Sequence, residues 1–221
     1  MNLLLLAVAP VMIIIVYIYF KDKFEKEPIN FLVKNFVLGA VVSIIITVLL
    51  GTLLSRYIVI TDPKSIVQIV IKAFVIVGFV EEFSKYIIIR YYAQSSKEFN
   101  EPFDGIVYAV MVSMGFAMLE NVLYVFHFGV ETGILRAFTA VPAHATFAIL
   151  MGYFMGLAKF SKNKRMYNLT GLLLATIFHG AYDFFLFIDF IPGISIGAFI
   201  SLLVGLLLAN KAIKLHQNKN E

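Results

Sequence analysis

The chain contains no cysteine, so disulfides cannot brace it and no thiolate is available as a nucleophile. Charge is nearly as scarce. Only 14% of residues are Asp, Glu, Lys or Arg, 61% are apolar, and the mean hydropathy of +0.90 excludes an ordinary soluble protein. H-E-x-x-H is absent, which removes the usual zinc-protease helix. Gly193-Ile194-Ser195-Ile196-Gly197 matches G-x-S-x-G, but it opens an apolar run after Pro192. A nucleophile elbow needs a strand, a tight turn and a helix, so the match reads as small-residue packing, like Gly152-x-x-x-Gly156. No soluble domain, long linker, low-complexity tract or internal repeat is visible, and residues 1–221 are expected to form a single transmembrane helical domain.

What remains is an all-α, polytopic membrane bundle. Apolar runs predict seven spans, at about 3–20, 31–54, 66–91, 105–126, 134–158, 169–187 and 191–209. The first has no basic residue before it and no small-residue cleavage site after it, which reads as a retained span rather than a signal peptide. With seven spans and an external N-terminus, the internal segments hold twelve Lys and Arg, from Lys21 to Lys219. The external ones hold Arg56, Lys64 and Arg136. This bias places the N-terminus outside and the C-terminus inside. It also accounts for the pI near 9.1 without any nucleic-acid partner.

Against this background the ionisable groups inside spans stand out. Glu81, Glu82 and Lys85 interrupt the third span, Glu120 and Asn121 lie in the fourth, His144 in the fifth, and His179 and Asp183 in the sixth. On a helix, Glu81 and Glu82 precede Lys85 by four and three residues, so the amine lies over both carboxylates. His179 and Asp183 are four apart and share a face. Facing lipid, this set would cost on the order of 10 to 20 kcal/mol, so it is expected to face inward and together. A plainer reading makes the Glu81-Glu82-Lys85 group a buried salt bridge holding helix register, and Glu120-Asn121 an interhelical hydrogen bond. A doubled carboxylate is a wasteful device for register. Lys72 reads as a snorkelling side chain.

Glu81-Glu82-x-x-Lys85, Phe116-x-x-x-Glu120-Asn121, Pro142-x-His144 and His179-x-x-x-Asp183, in this order on successive spans, resemble the PrsW family of membrane-embedded proteases. That family belongs to the wider group of CAAX prenyl endopeptidases and bacterial Abi-type proteins. The likeness runs from the Lys21–Pro28 loop to the sixth span. It implies a multi-pass protein of the bacterial plasma membrane that makes the first cut in a single-span regulatory protein such as an anti-sigma factor. By motif, Glu81 and Glu82 correspond to the paired family glutamates and His144 and His179 to its histidines. The chain departs from the broader pattern at Lys85, where an Arg usually falls one residue later, at Glu120, where His is common, and at Asp183, where Asn is common.

Peptide hydrolysis needs an activated water, a donor for the oxyanion and an acid for the leaving amine. The expected assignment is Glu81 as general base with Glu82 coupled to it, His179 oriented by Asp183, and His144 and Asn121 facing the oxyanion. A second version has Glu81, Glu82, His144 and His179 hold a divalent metal such as zinc. The competing class is a proton-coupled transporter relaying protons through the same Glu and His groups. It predicts an inverted repeat, and these spans show none. One tension is depth: Glu81 and Glu82 fall inward of midspan and Glu120 outward, so a kink or tilt has to bring them level.

Overall fold

A computed structural model describes residues 2–23 and 25–218. Phe24 of the first loop and Lys219, one of the internal cations, lie outside the described residues. The helices are α1 (Leu3–Lys21), α2 (Ile29–Tyr57), α3 (66–93), α4 (Asp104–Phe128), α5 (Val130–Phe138), α6 (Ala140–Phe160), α7 (Lys164–Phe187) and α8 (Ile196–Asn218). Helices α5 and α6 form one broken rod, so seven rods correspond to the seven expected spans. Six are long and apolar enough to cross a membrane. The third, α3, fails only because Lys72, Glu81, Glu82, Lys85 and Arg90 lie along it. The lipid-facing surface is apolar, with Leu5, Ile13, Leu49, Leu173 and Leu207 all exposed.

Helices α4 and α6 form the centre because small residues let their backbones touch. Gly105 lies directly against Gly152 and Gly156, where any Cβ would overlap the facing backbone. Gly39 and Gly115 do the same for α2 and α4. Among the segments counted as internal from their charge, Gln217 donates to Lys21 O, Asn100 donates to Glu25, and Lys159 Nζ donates to Gln94 O and Ser96 O. These segments thus meet on one face of the bundle.

Several boundaries differ from the sequence expectation. The last helix starts at Ile196 rather than near 191, because Pro192 and Gly193, the latter at φ +78°, form a turn first. It then runs past Ala209 to Asn218, since Lys211 and Lys214 are good helix formers once the chain has left the apolar layer. The fifth rod begins at Val130, with α5 broken from α6 at Thr139 (φ −125°, ψ −75°).

Helix α3 is not regular. Residues Lys72–Phe79 form a π-helical stretch that ends just before Val80 opens the regular turns carrying Glu81, Glu82 and Lys85. Each wide turn adds a residue per cycle and rotates the remainder of the helix, a device common at functional sites. This irregularity immediately precedes the acidic pair.

Candidate active site

Helix geometry sets the first contacts. Lys85 Nζ donates to Glu82 Oε1 at 2.7 Å and lies 3.6 Å from Glu81 Oε2, as their spacing of three and four residues requires. The ammonium sits 4.2 Å over the Phe116 ring, so that member of the Phe116-x-x-x-Glu120 pair packs on Lys85 while the other reaches His144. Adjacent residues on a helix diverge by about 100°, and here the two glutamates part company. Glu82 is sealed, with a side chain 1% exposed, whereas Glu81 is 13% exposed and lines a cavity.

Across from α3, Gly78 packs on Gly180, close enough that a Cβ on Gly78 would lie 3.1 Å from the Gly180 nitrogen. That approach lets His179 on α7 reach α3. Its Nδ1 is 2.9 Å from Glu82 Oε1, and its Nε2 is 3.4 Å from Asp183 and 3.9 Å from Glu81 Oε2. An ionised carboxylate only accepts, so Nδ1 carries the hydrogen donated to Glu82. Glu82, rather than Asp183 as expected, is therefore the nearer orienting partner of His179. Phe147 stacks on the same imidazole, ring centroids 5.0 Å apart.

The second imidazole, His144 on α6, has Nε2 2.9 Å from Glu120 Oε2 and Nδ1 3.4 Å from Lys85 Nζ. Because an ammonium only donates, Nδ1 is the accepting nitrogen and Nε2–H points to Glu120. Lys85 and His144 thereby bridge the depth gap between Glu82 and Glu120. Seven of the eight sequence-derived residues, Glu81, Glu82, Lys85, Glu120, His144, His179 and Asp183, form one connected cluster. The eighth, Asn121, does not join them. Its amide donates to Ala7 O and its carbonyl accepts from Arg136, so it faces α1 and is not an oxyanion donor.

Beside the cluster lies a cavity of about 750 Å³, lined by Glu81, Glu120, His144, His179 and Asp183 and rimmed by Lys72 and Arg136. Lys72, expected only to snorkel, sits 4.2 Å over the Phe187 ring at that rim. Arg136 is the residue that sequence reasoning missed. It falls at the start of the 134–158 run and is counted there only with the external charges, and the signal for it is an isolated cation on the amphipathic stretch after Gly129.

The atoms also fit a metal. Ligand atoms of Glu81, His144 and His179 lie within 4.8 Å of one another. An O,N,N donor set suits zinc, and each imidazole has a carboxylate on its other nitrogen, Glu120 for His144 and Glu82 for His179. Glu81 Oε2 is buried and makes no hydrogen bond. Four carboxylates (Glu81, Glu82, Glu120 and Asp183) face three fixed cations (Lys72, Lys85 and Arg136), leaving a net negative charge to which a divalent cation would be attracted.

Comparison with known proteins decides the family. The profile described as "PrsW family intramembrane metalloprotease" matches residues 27–209. The chain belongs to the PrsW family. It is 39% identical to Protease PrsW of Geobacillus kaustophilus (strain HTA426) over 84% of this chain and 80% of that protein. The corresponding protein of Clostridioides difficile (strain 630) is 37% identical over 86% of this chain and 81% of that one. Protease PrsW of Bacillus subtilis (strain 168) is 34% identical over 81% and 80%. No solved structure matches. As a member of the PrsW family the protein is an intramembrane protease, a multi-pass membrane protein whose substrate is itself a membrane protein.

Proposed function

We propose that this PrsW-family protease hydrolyses a peptide bond of a single-span regulatory protein, of which an anti-sigma factor is the expected case, in the bacterial plasma membrane, with its N-terminus outside. The observation that carries the reading is the convergence of Glu81, His144 and His179 within 4.8 Å at the wall of a cavity. The Glu81 side chain is 13% exposed at that wall, and its buried Oε2 makes no hydrogen bond. Glu81 takes the proton of the attacking water and returns it to the leaving amine. Glu82 does not face the cavity; it holds Lys85 and His179 in place. His144 gives its one N–H to Glu120 and turns an unprotonated Nδ1 inward, so with Asn121 engaged elsewhere neither has a hydrogen to offer the oxyanion.

A divalent cation such as zinc would be held by Glu81, His144 and His179, and when bound it supplies polarisation of the scissile carbonyl and a more acidic water. Glu81 has two oxygens, so one can face the cation while the other accepts the proton. The transport alternative gains no support beyond the polar groups themselves.

The test is cleavage of a single-span reporter in membranes by wild type, Glu81→Gln, Glu82→Gln and His179→Ala, each checked for accumulation. Loss of cleavage in all three is expected. Intact cleavage in normally accumulated variants overturns the assignment. Metal analysis of the purified protein with activity after chelation tests the cation: full activity without stoichiometric metal ends that part.

A further inference from the structure

Gly129, at φ +85°, turns the chain sharply at the end of α4, and the nine-residue α5 folds back so that Arg136 meets the helix it has just left. There Arg136 Nη2 donates to Glu120 Oε2 at 2.7 Å and Nε donates to Asn121 Oδ1 at 2.9 Å. The guanidinium stacks 4.1 Å over Tyr124. Arg136 thus clamps two consecutive side chains of α4 from a planar fork, which a lysine cannot do. The decisive detail is which atom it holds. Glu120 Oε2 is the same oxygen that faces His144 Nε2 at 2.9 Å.

We propose that Arg136 is a positioning residue of the protease. It locks the Glu120 carboxylate, and through it the ring orientation and tautomer of His144, so that Nδ1 is presented toward the Glu81–His179 group. The inference rests on the active-site reading above. Helix α5 is also a partition. Thr132, Leu135 and Arg136 line the catalytic cavity, while Ile134, Ala137 and Phe138 line an apolar groove of about 460 Å³ against α1. Through Arg136, the seating of this partition is read out at His144.

A residue that merely pins α5 would affect stability and substrate binding. A residue acting through Glu120 affects turnover, and its effect disappears when Glu120 is already neutral. The experiment measures kcat and KM for cleavage of a single-span reporter by the full-length protein with Arg136→Gln, Arg136→Lys, Glu120→Gln and the R136Q/E120Q double substitution. Melting temperature and Zn2+ affinity by chelator competition are measured alongside. Arg136→Gln is expected to lower kcat about 10- to 100-fold, the usual effect of removing an outer partner of a site histidine, with KM within about twofold. Arg136→Lys restores part of the loss, and the double variant is no slower than Glu120→Gln alone. Zn2+ affinity falls by a comparable factor in Arg136→Gln. Multiplicative losses in the double variant, or a change confined to KM or melting temperature, overturn the proposal. Glu81→Gln separates the two readings. If it still cleaves, the active-site assignment fails; if it is dead while Arg136→Gln equals wild type, only the role of Arg136 fails.

Discussion

The two adjacent glutamates are expected to fail in different ways when each is replaced by Gln. Glu82 has Lys85 at 2.7 Å and His179 at 2.9 Å, all three nearly without exposure. With an effective dielectric near 20, the Glu82–Lys85 attraction is about 6 kcal/mol and the Glu81–Lys85 attraction, at 3.6 Å, is about 5 kcal/mol. Those gross values are similar, so desolvation and hydrogen bonding decide the outcome. Glu82→Gln removes the charge from a sealed network and puts an NH2 group where Glu82 Oε2 now makes no hydrogen bond. Breaking a buried pair from one side costs about 3 to 5 kcal/mol. Glu81→Gln leaves Lys85 with its nearer partner and changes a side chain that faces the cavity, so stability stays within about 1 kcal/mol of wild type. Both variants lose cleavage. Combining Glu82→Gln with Lys85→Met removes both charges and recovers most of the stability while leaving the protein inactive. Reversible unfolding of the purified protein in mixed detergent micelles measures the first quantity, and reporter cleavage the second. Equal stability of the two single variants, or a less stable Glu81→Gln, refutes the division between a sealed and a working carboxylate.

Other parts of the fold give three further expected outcomes. Gly78→Ala places a Cβ 2.9 Å from Ala73 O in the π-helical stretch of its own helix and 3.1 and 3.3 Å from the Gly180 backbone, so both that stretch and the α3–α7 approach must give; a loss of about 1 to 3 kcal/mol and at least a tenfold drop in cleavage are expected, and full activity contradicts the view that this packing sets the Glu82–His179 contact. Ser84 donates to Glu81 O at 2.7 Å and accepts from Thr47 and Ser43, so Ser84→Ala strands two hydroxyls and should cost about 1 to 2 kcal/mol by the same unfolding assay, with a severalfold slower kcat. Outside the spans, burial first, and then the carboxylate of Asp104, push the Glu27 carboxyl from its ordinary 4.5 up to about 9. The folded protein therefore keeps a proton that the unfolded chain has lost, and this contribution to stability declines as pH rises from about 4.5 to 9, by at most about 1.4 kcal/mol per unit. Glu27→Gln should flatten the dependence of melting temperature on pH between 6 and 8.5; an unchanged slope assigns it to other groups.

Most of the bundle was legible because a bilayer punishes ambiguity. Apolar runs long enough to span it can only be helices, and an ionisable side chain within one has to find partners. Spacing along single helices was equally readable, as with Glu81 and Glu82 beneath Lys85 and with Asp183 near His179. Contacts between helices were not. Nothing in a spacing of sixteen residues links Glu120 to Arg136; the link depends on the chain reversing at Gly129. Asn121 was assigned to the oxyanion from its place beside Glu120, yet one residue's rotation turns it toward Ala7. The level of the acidic pair was similarly hidden, because hydropathy carries no trace of a π-helical stretch at Lys72–Phe79.

The doubled glutamate looked extravagant as a salt bridge, and the geometry shows why one carboxylate would not suffice. A lone acid at this turn would have to choose. Turned inward it can accept from Lys85 and His179, as Glu82 does, but then it is sealed from water. Turned toward the cavity it is partly exposed, as Glu81 is, but then Lys85 is left 3.6 Å away without a hydrogen bond and His179 loses the partner on Nδ1. Two consecutive residues on one helix face both directions at once, because the helix itself rotates the second away from the first. Moving the pair apart by even one position, so that a third side chain intervened, would turn one of them some 200° from the other and out of reach of either Lys85 or the cavity. On the proposed mechanism adjacency is therefore required, and Lys85, three and four residues on, lies within 4 Å of both carboxylates.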